Sequence, residues 1–172
     1  PGIWRSISNA TYKQDKGEKL YRRGMYTYWR RTVPPPTMMA FNAAAREICT
    51  VRTDLTTTPL QALTMMNNKT YVEAARFLAE RMMKTDGLKP RQRVAEAFRA
   101  VTSRSPRKDE LALLMADFAF YKNDFTKHTA AAAKLLAVGE KPRNAKLNAV
   151  ELAAYALVAN TLLNLDEAIM QN

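Results

Sequence analysis

The chain has 172 residues, 47% of them hydrophobic and 25% charged, with a formal net charge of +11, one cysteine and one histidine. That length and balance suit one ordinary folded domain and exclude a disordered chain. The single Cys49 and single His128 exclude an intrachain disulfide, a C-x-x-C-H haem attachment and a zinc site of the usual ligand spacing.

Residues 1–19 read as loop, with Trp4 expected to anchor against the core. The opening PGIW has no methionine, apolar leader or Arg-rich transit segment and reads as the start of a piece of a longer protein. Up to Arg52, ten Lys and Arg stand against three Asp and Glu, so seven of the eleven net positive charges fall in the first third. Such a local excess attracts anionic polymers or an acidic protein face. It serves equally for arginines paired inside a larger parent protein.

Next comes LYRRGMYTYWRRT, residues 20–32, whose aromatics fit neither period cleanly. We expect an extended segment or short strand here, with a helix as the alternative. The pairs Arg22, Arg23 and Arg30, Arg31 bracket Tyr26, Tyr28 and Trp29. Rings stack and guanidinium groups take anions, so this set is a candidate binding surface, and it is also the pattern of a buried strand with charged flanks. The buried-strand reading is favoured, because no RNA-binding signature or glycine-rich arm accompanies the set. Pro34, Pro35 and Pro36 predict a polyproline stretch that is neither helix nor central strand, with Met38, Met39 and Phe41 clipping it to the core.

Arg46, Glu47, Arg52 and Asp54, with Thr56, Thr57 and Thr58, form a dense set of charge and hydroxyl beside a helix start. Helix N-termini bind anions, so the set reads either as an anion site with Arg52 as second clamp or as a salt-bridge and capping network. Cys49 is expected to be a small buried hydrophobe, with no nearby histidine to activate it.

From Thr58 onward the pattern is helical. Thr58, Pro59 and Gln61 make a capping box with proline at the first position, opening a helix to about Met66 with Leu60, Leu63, Thr64 and Asn67 on one side. A second helix starts at Asn68 or Thr70, where T-x-x-E to Glu73 is a second capping box. It carries Tyr71, Ala75, Leu78 and Met82 on one face and Glu73/Arg76 and Glu80/Lys84 as exposed pairs. A third, from about Arg91 to Thr102, buries Val94, Ala97, Phe98 and Val101. Ser105-Pro106 opens a fourth, to about Lys127, that buries Leu111, Leu114, Met115, Phe118 and Phe125. A short alanine-rich helix over 129–138 is closed by Gly139 and Pro142. Asn148-x-x-Glu151 opens the last, to about Ile169, which is apolar nearly all round and is expected at the centre of the others. It is not a membrane span: its uninterrupted apolar run, 152–159, falls far below the ~18 residues a bilayer needs.

These elements predict a mainly α fold, a multi-helix bundle around a central apolar C-terminal helix. An irregular basic arm, 1–57, is expected to wrap on the bundle, 58–172, the two together making one domain. No glycine-rich phosphate loop, G-x-S-x-G elbow or H-E-x-x-H occurs, and no cofactor or metal is expected in this chain.

Residues 20–81, with weaker motifs at AFRAVTSRSP (97–106), LLAVGEKPRN and ELAAYALVANTLLNLDE, resemble the later part of domain of unknown function 1553, the planctomycete PSD domain. The resemblance implies a parent protein that is exported to the periplasm or cell envelope, with upstream domains as partners and often a neighbouring cytochrome-c-like domain carrying haem c. It supplies no catalytic residues. The chain departs from that pattern with Asn42 and Ala45 in place of Asp, Thr53 in place of a second Arg and Thr57 in place of Asn, which removes polar groups from the Arg46–Thr58 loop.

Three functions follow as expectations. The first is a non-catalytic structural or interaction module of a larger exported protein. The second is binding of an anionic, sulfated polysaccharide through Arg22, Arg23, Tyr26, Tyr28, Trp29, Arg30 and Arg31, favoured over nucleic acid by the envelope location that the resemblance implies. The third is part of an enzyme completed by upstream domains, with the Arg46, Glu47, Arg52, Asp54 and Thr58 cluster as its candidate site.

Overall fold

Glycine and proline set the backbone of the first part of the chain. The computed structural model describes residues 15–29, 34–44, 49–51, 56–85 and 87–170. Two compact units are formed, Pro1–Thr56 and Thr57–Asn172.

In the first unit, Gly17, at φ +61°, opens a 3-10 turn, Gly17–Tyr21, and Gly24 opens another, Gly24–Tyr26. Arg22, Arg23 and Thr27 hold ψ values of 152°, 151° and 135°, so single turns alternate with extended residues. Over 20–29 this corrects the short strand, while the residues between the turns are extended; residues 30–32 lie outside the described residues. The 3-10 turn at Gly24–Tyr26 closes through local bonds, Tyr26 N–H to the Arg23 carbonyl and Thr27 N–H to the Gly24 carbonyl, both 3.0 Å. Helix α1, Pro36–Ala40, corrects the polyproline expectation at its last residue: Pro36 takes the first helical turn, where a missing N–H costs nothing. Asn42 ends this segment at φ 54° and donates from Nδ2 to Thr56 Oγ1, 2.6 Å. Cys49 is exposed rather than buried.

In the second unit the capping box at Thr58 is formed. Thr58 Oγ1 accepts from Gln61 N–H at 3.3 Å and Gln61 Oε1 accepts from Thr58 N–H at 2.9 Å, opening α2, Pro59–Asn67. The side of α2 carrying Leu60 and Leu63 faces solvent, and the buried residue is Gln61. Asn68, not Thr70, caps α3, Lys69–Lys84, by accepting Thr70 N–H at 2.9 Å. Helix α4 spans Pro90–Thr102. Helix α5 spans Lys108–Lys127 and begins later than Ser105-Pro106 suggests, because Glu110 accepts Arg107 N–H at 2.7 Å and fixes Arg107 as the cap. Helix α6 is Thr129–Leu136 and α7 is Ala149–Leu163, with Asn148 accepting Glu151 N–H at 3.0 Å. The chain breaks at Asn164 and turns once more as α8, Asp166–Ile169.

The bundle is built on α7. Eight of its fifteen residues are buried, among them Leu152, Tyr155, Val158 and Leu162. Helices α2 to α6 and α8 each pack on it, α3 most extensively and α5 next. Ala153, Ala154, Ala156 and Ala159 let neighbouring backbones come close, while Phe118 of α5 stacks on Tyr155 with ring centroids 4.3 Å apart. Burial of each large side chain here removes apolar area worth roughly 1.5–3 kcal/mol from water. The architecture is therefore a mainly α bundle around its C-terminal apolar helix. Among the described residues no strand occurs and no helix is long and apolar enough to cross a membrane.

Candidate functional site

Helix α3 carries Glu73, Arg76 and Glu80 at i, i+3 and i+7, one stripe with charges of alternating sign. The sequence suggests exposed pairs, but the three residues are 5%, 1% and 5% exposed. The cause is the loop between α6 and α7, which returns across this stripe. Glu73 Oε1 accepts the backbone N–H groups of Glu140 (3.2 Å) and Lys141 (2.9 Å), and Glu80 Oε1 accepts that of Asn144 (3.1 Å). Arg76 donates from Nη1 to Glu80 Oε1 (2.9 Å) and from Nη2 to the Lys141 carbonyl (2.6 Å) and Glu73 Oε1 (3.5 Å). Gly139, at φ +110°, completes the approach: a Cβ there would stand 2.5–2.9 Å from the Glu73 side chain. Two carboxylates and one guanidinium thus satisfy backbone groups of the loop, and Oε1 of each carboxylate is engaged by backbone donors.

Beside this triad lies a cleft of about 220 Å³ between α2, α3, α5, α6 and α7. Met66, Ala75, Leu136 and Ala156 give it apolar walls, and Arg76, Tyr121, Asn160 and Thr161 add polar groups. Burial, and secondarily the charge of Asp117, raises the Tyr121 hydroxyl above its ordinary range, so it is a donor at neutral pH. Thr161 is committed to the Leu157 carbonyl at 3.2 Å. Asn160 Nδ2 makes a long bond, 3.4 Å, to the Met65 carbonyl. The Nε–H of Arg76 is buried with no acceptor among the described residues.

A second charged node ties the α4–α5 turn to α8. Arg104 meets Glu110 through Nη1 and Nη2 and Glu167 through Nε and Nη2, all four contacts at 2.8 Å, and its guanidinium lies 4.8 Å over the Phe98 ring. Hydrogen bonds from Arg104, and then from Arg107 N–H, hold the Glu110 carboxyl far below the usual range. Arg104 lowers Glu167 as well, and the two carboxylates raise Arg104 in turn. Ser103, in the left-handed region at φ 61°, makes the reversal that brings Arg104 there.

Of the residues singled out in the sequence, Arg22, Arg23, Tyr26 and Tyr28 are exposed and Trp29 is half-buried, while Arg30 and Arg31 lie outside the described residues. Arg46, Glu47, Arg52 and Asp54 also lie outside them. Thr58 is described, and its hydroxyl serves the capping box. Thr57 donates to Asp166 Oδ1 at 2.6 Å. Among the described residues no group of three or more His, Cys, Asp or Glu is arranged to hold a metal.

Residues 1–118 match the family model PSD1, described as "Protein of unknown function (DUF1553)". The chain belongs to this family. The match contains the 20–81 segment and AFRAVTSRSP and ends within α5, so the two C-terminal motifs of the resemblance lie beyond it. No curated protein and no solved structure matches the chain. In this DUF1553 chain the matched part includes Glu73, Arg76 and Glu80, whereas the loop they hold and the central α7 come after it. The charge spacing on α3 carries no signal of burial, because the partner loop sits more than sixty residues away and left no local trace.

Proposed function

We propose that this chain is a non-catalytic structural and interaction module of a larger exported protein, working at the cell envelope beside its upstream domains. The observation that carries this reading is the commitment of the buried charges: Glu73, Arg76 and Glu80 hold a loop through backbone hydrogen bonds, which makes them fasteners and not acids or bases. A cytochrome-c-like neighbour in the parent, and hence haem c near but not in this chain, belongs to the same proposal and rests on the family resemblance. The test supplies the upstream domains and this chain as separate polypeptides. Saturable association without turnover in a broad hydrolase and redox screen is the expected result; no association at tens of micromolar, or turnover by the mixture, overturns it.

A second reading, binding of a sulfated polysaccharide, is favoured by one observation: Arg22, Arg23, Tyr26 and Tyr28 are all exposed, with Tyr26 at 61% and Tyr28 at 52%. Guanidinium and ring surfaces at adjacent positions suit an anionic sugar chain. On a heparin column the wild-type chain should elute at a salt concentration that falls on reversing the charge of Arg22 and Arg23, since several simultaneous anion contacts weaken steeply with salt. Elution unchanged by that reversal removes this reading.

A further inference from the structure

We propose that the cleft between α2, α3, α5, α6 and α7 is a binding site for a small, mainly apolar molecule that carries a neutral hydrogen-bond acceptor such as a carbonyl. Its volume, about 220 Å³, exceeds the ~150 Å³ of an apolar protein cavity that takes benzene, so one aromatic-sized group with a short substituent fits. Walls from five helices, with Ala75, Leu136 and Ala156 deep in the packing, make it part of the bundle and not a surface dimple.

The polar groups of the wall select the ligand's chemistry. Arg76 lines the cleft with its side chain 2% exposed, and its Nε–H has no acceptor among the described residues, although both terminal nitrogens are engaged. Tyr121 is a protonated hydroxyl at neutral pH and so a second donor. A buried donor without an acceptor is an incomplete hydrogen bond, and a ligand oxygen completes it. An anion is disfavoured, because Glu73 and Glu80 already place two carboxylates around the one guanidinium. The class that remains is apolar, neutral and oxygen-bearing. This inference does not depend on the module reading, since a structural module and an enzyme alike can hold such a ligand.

The experiment uses the whole 172-residue chain and three probes of similar size: acetophenone, ethylbenzene and benzoate. Binding is followed by NMR on the methyl resonances of Leu135, Leu136 and Leu157 and on the Arg76 Nε–H resonance. Acetophenone should shift the methyls saturably and move the Nε–H resonance, and ethylbenzene should bind about tenfold more weakly and leave Nε–H in place. A merely greasy cavity predicts the reverse order, because ethylbenzene is the more apolar of the two. Thr161→Leu, which fills the cleft, should abolish the acetophenone response; if that variant does not fold, Val72→Phe at the half-buried rim serves the same end. No saturable methyl shift at the solubility limit of acetophenone overturns the proposal, as does an unmoved Nε–H, benzoate binding as tightly as acetophenone, or binding retained in a folded cleft-filling variant.

Discussion

Arg76 shows how one buried charge can decide a local structure. Its guanidinium bridges two carboxylates of its own helix and a carbonyl of residue 141, so removing it leaves Glu73 and Glu80 buried without a counter-charge. Breaking a buried pair from one side costs about 3–5 kcal/mol. Arg76→Ala is therefore expected to lower the urea midpoint by that much stability, while Lys84→Ala, on the exposed side of the same helix, stays within ~0.5 kcal/mol of wild type. Equal effects of the two substitutions would show that the triad holds nothing. Gly139→Ala belongs to the same scale: φ +110° strains any L side chain, and the added Cβ collides with Glu73. A loss of more than ~1 kcal/mol is expected, measured in the same denaturation series. The sequence marks these residues as helix-surface charges because i, i+3 and i+4 spacing looks the same whether water or a loop covers it.

At the scale of elements, what is local was legible. T-x-x-Q at Thr58 and N-x-x-E at Asn148 each specify a helix start through bonds spanning three residues, and both form as their spacing dictates. Thr58→Ala and Asn148→Ala are each expected to cost about 1 kcal/mol, the usual worth of such a cap. Thermal unfolding of the single and double variants checks this, and the two losses should add because the caps share no partner. At Asn68 and Thr70 the sequence leaves two caps open and the structure chooses between them, whereas at Ser105-Pro106 it points to the wrong one. Asn68 wins over Thr70, and Arg107 with Glu110 over Ser105-Pro106, because the side chain that can reach a free N–H depends on where the preceding turn delivers the chain. Over 20–29 the strand reading fails for a related reason: Gly17 and Gly24 open 3-10 turns that a period-of-two pattern does not register.

For the molecule as a whole, the all-round apolar character of α7 made the centre of the bundle readable, since no polar face exists to be turned outward. Closure of the bundle was not readable. It depends on contacts such as Arg104 to Glu167, which join residues 63 positions apart in the chain. That node gives the whole unit a pH dependence with a definite sign. Glu110 and Glu167 have folded-state values below the ordinary carboxylate range, so they bind protons more weakly in the folded chain than in the unfolded one. Their contribution is therefore fully present above the unfolded value, about pH 4.3 for Glu, and is lost as pH falls through the depressed folded values. The raised value of Arg104 lies in the alkaline range and adds no dependence between pH 2 and 8. Arg104 and Glu167 are 36% and 50% exposed at the side chain and Glu110, at 21%, is half-buried, so screening keeps the effect modest. Melting temperatures of wild type and a Glu110→Gln, Glu167→Gln double variant should differ by a constant amount from pH 5 to 8, wild type higher, and the gap should close below about pH 4 as wild-type carboxylates take up protons. A gap that widens in acid would mean that the carboxylates are held protonated in the folded chain, which the two-sided clasp of Arg104 opposes.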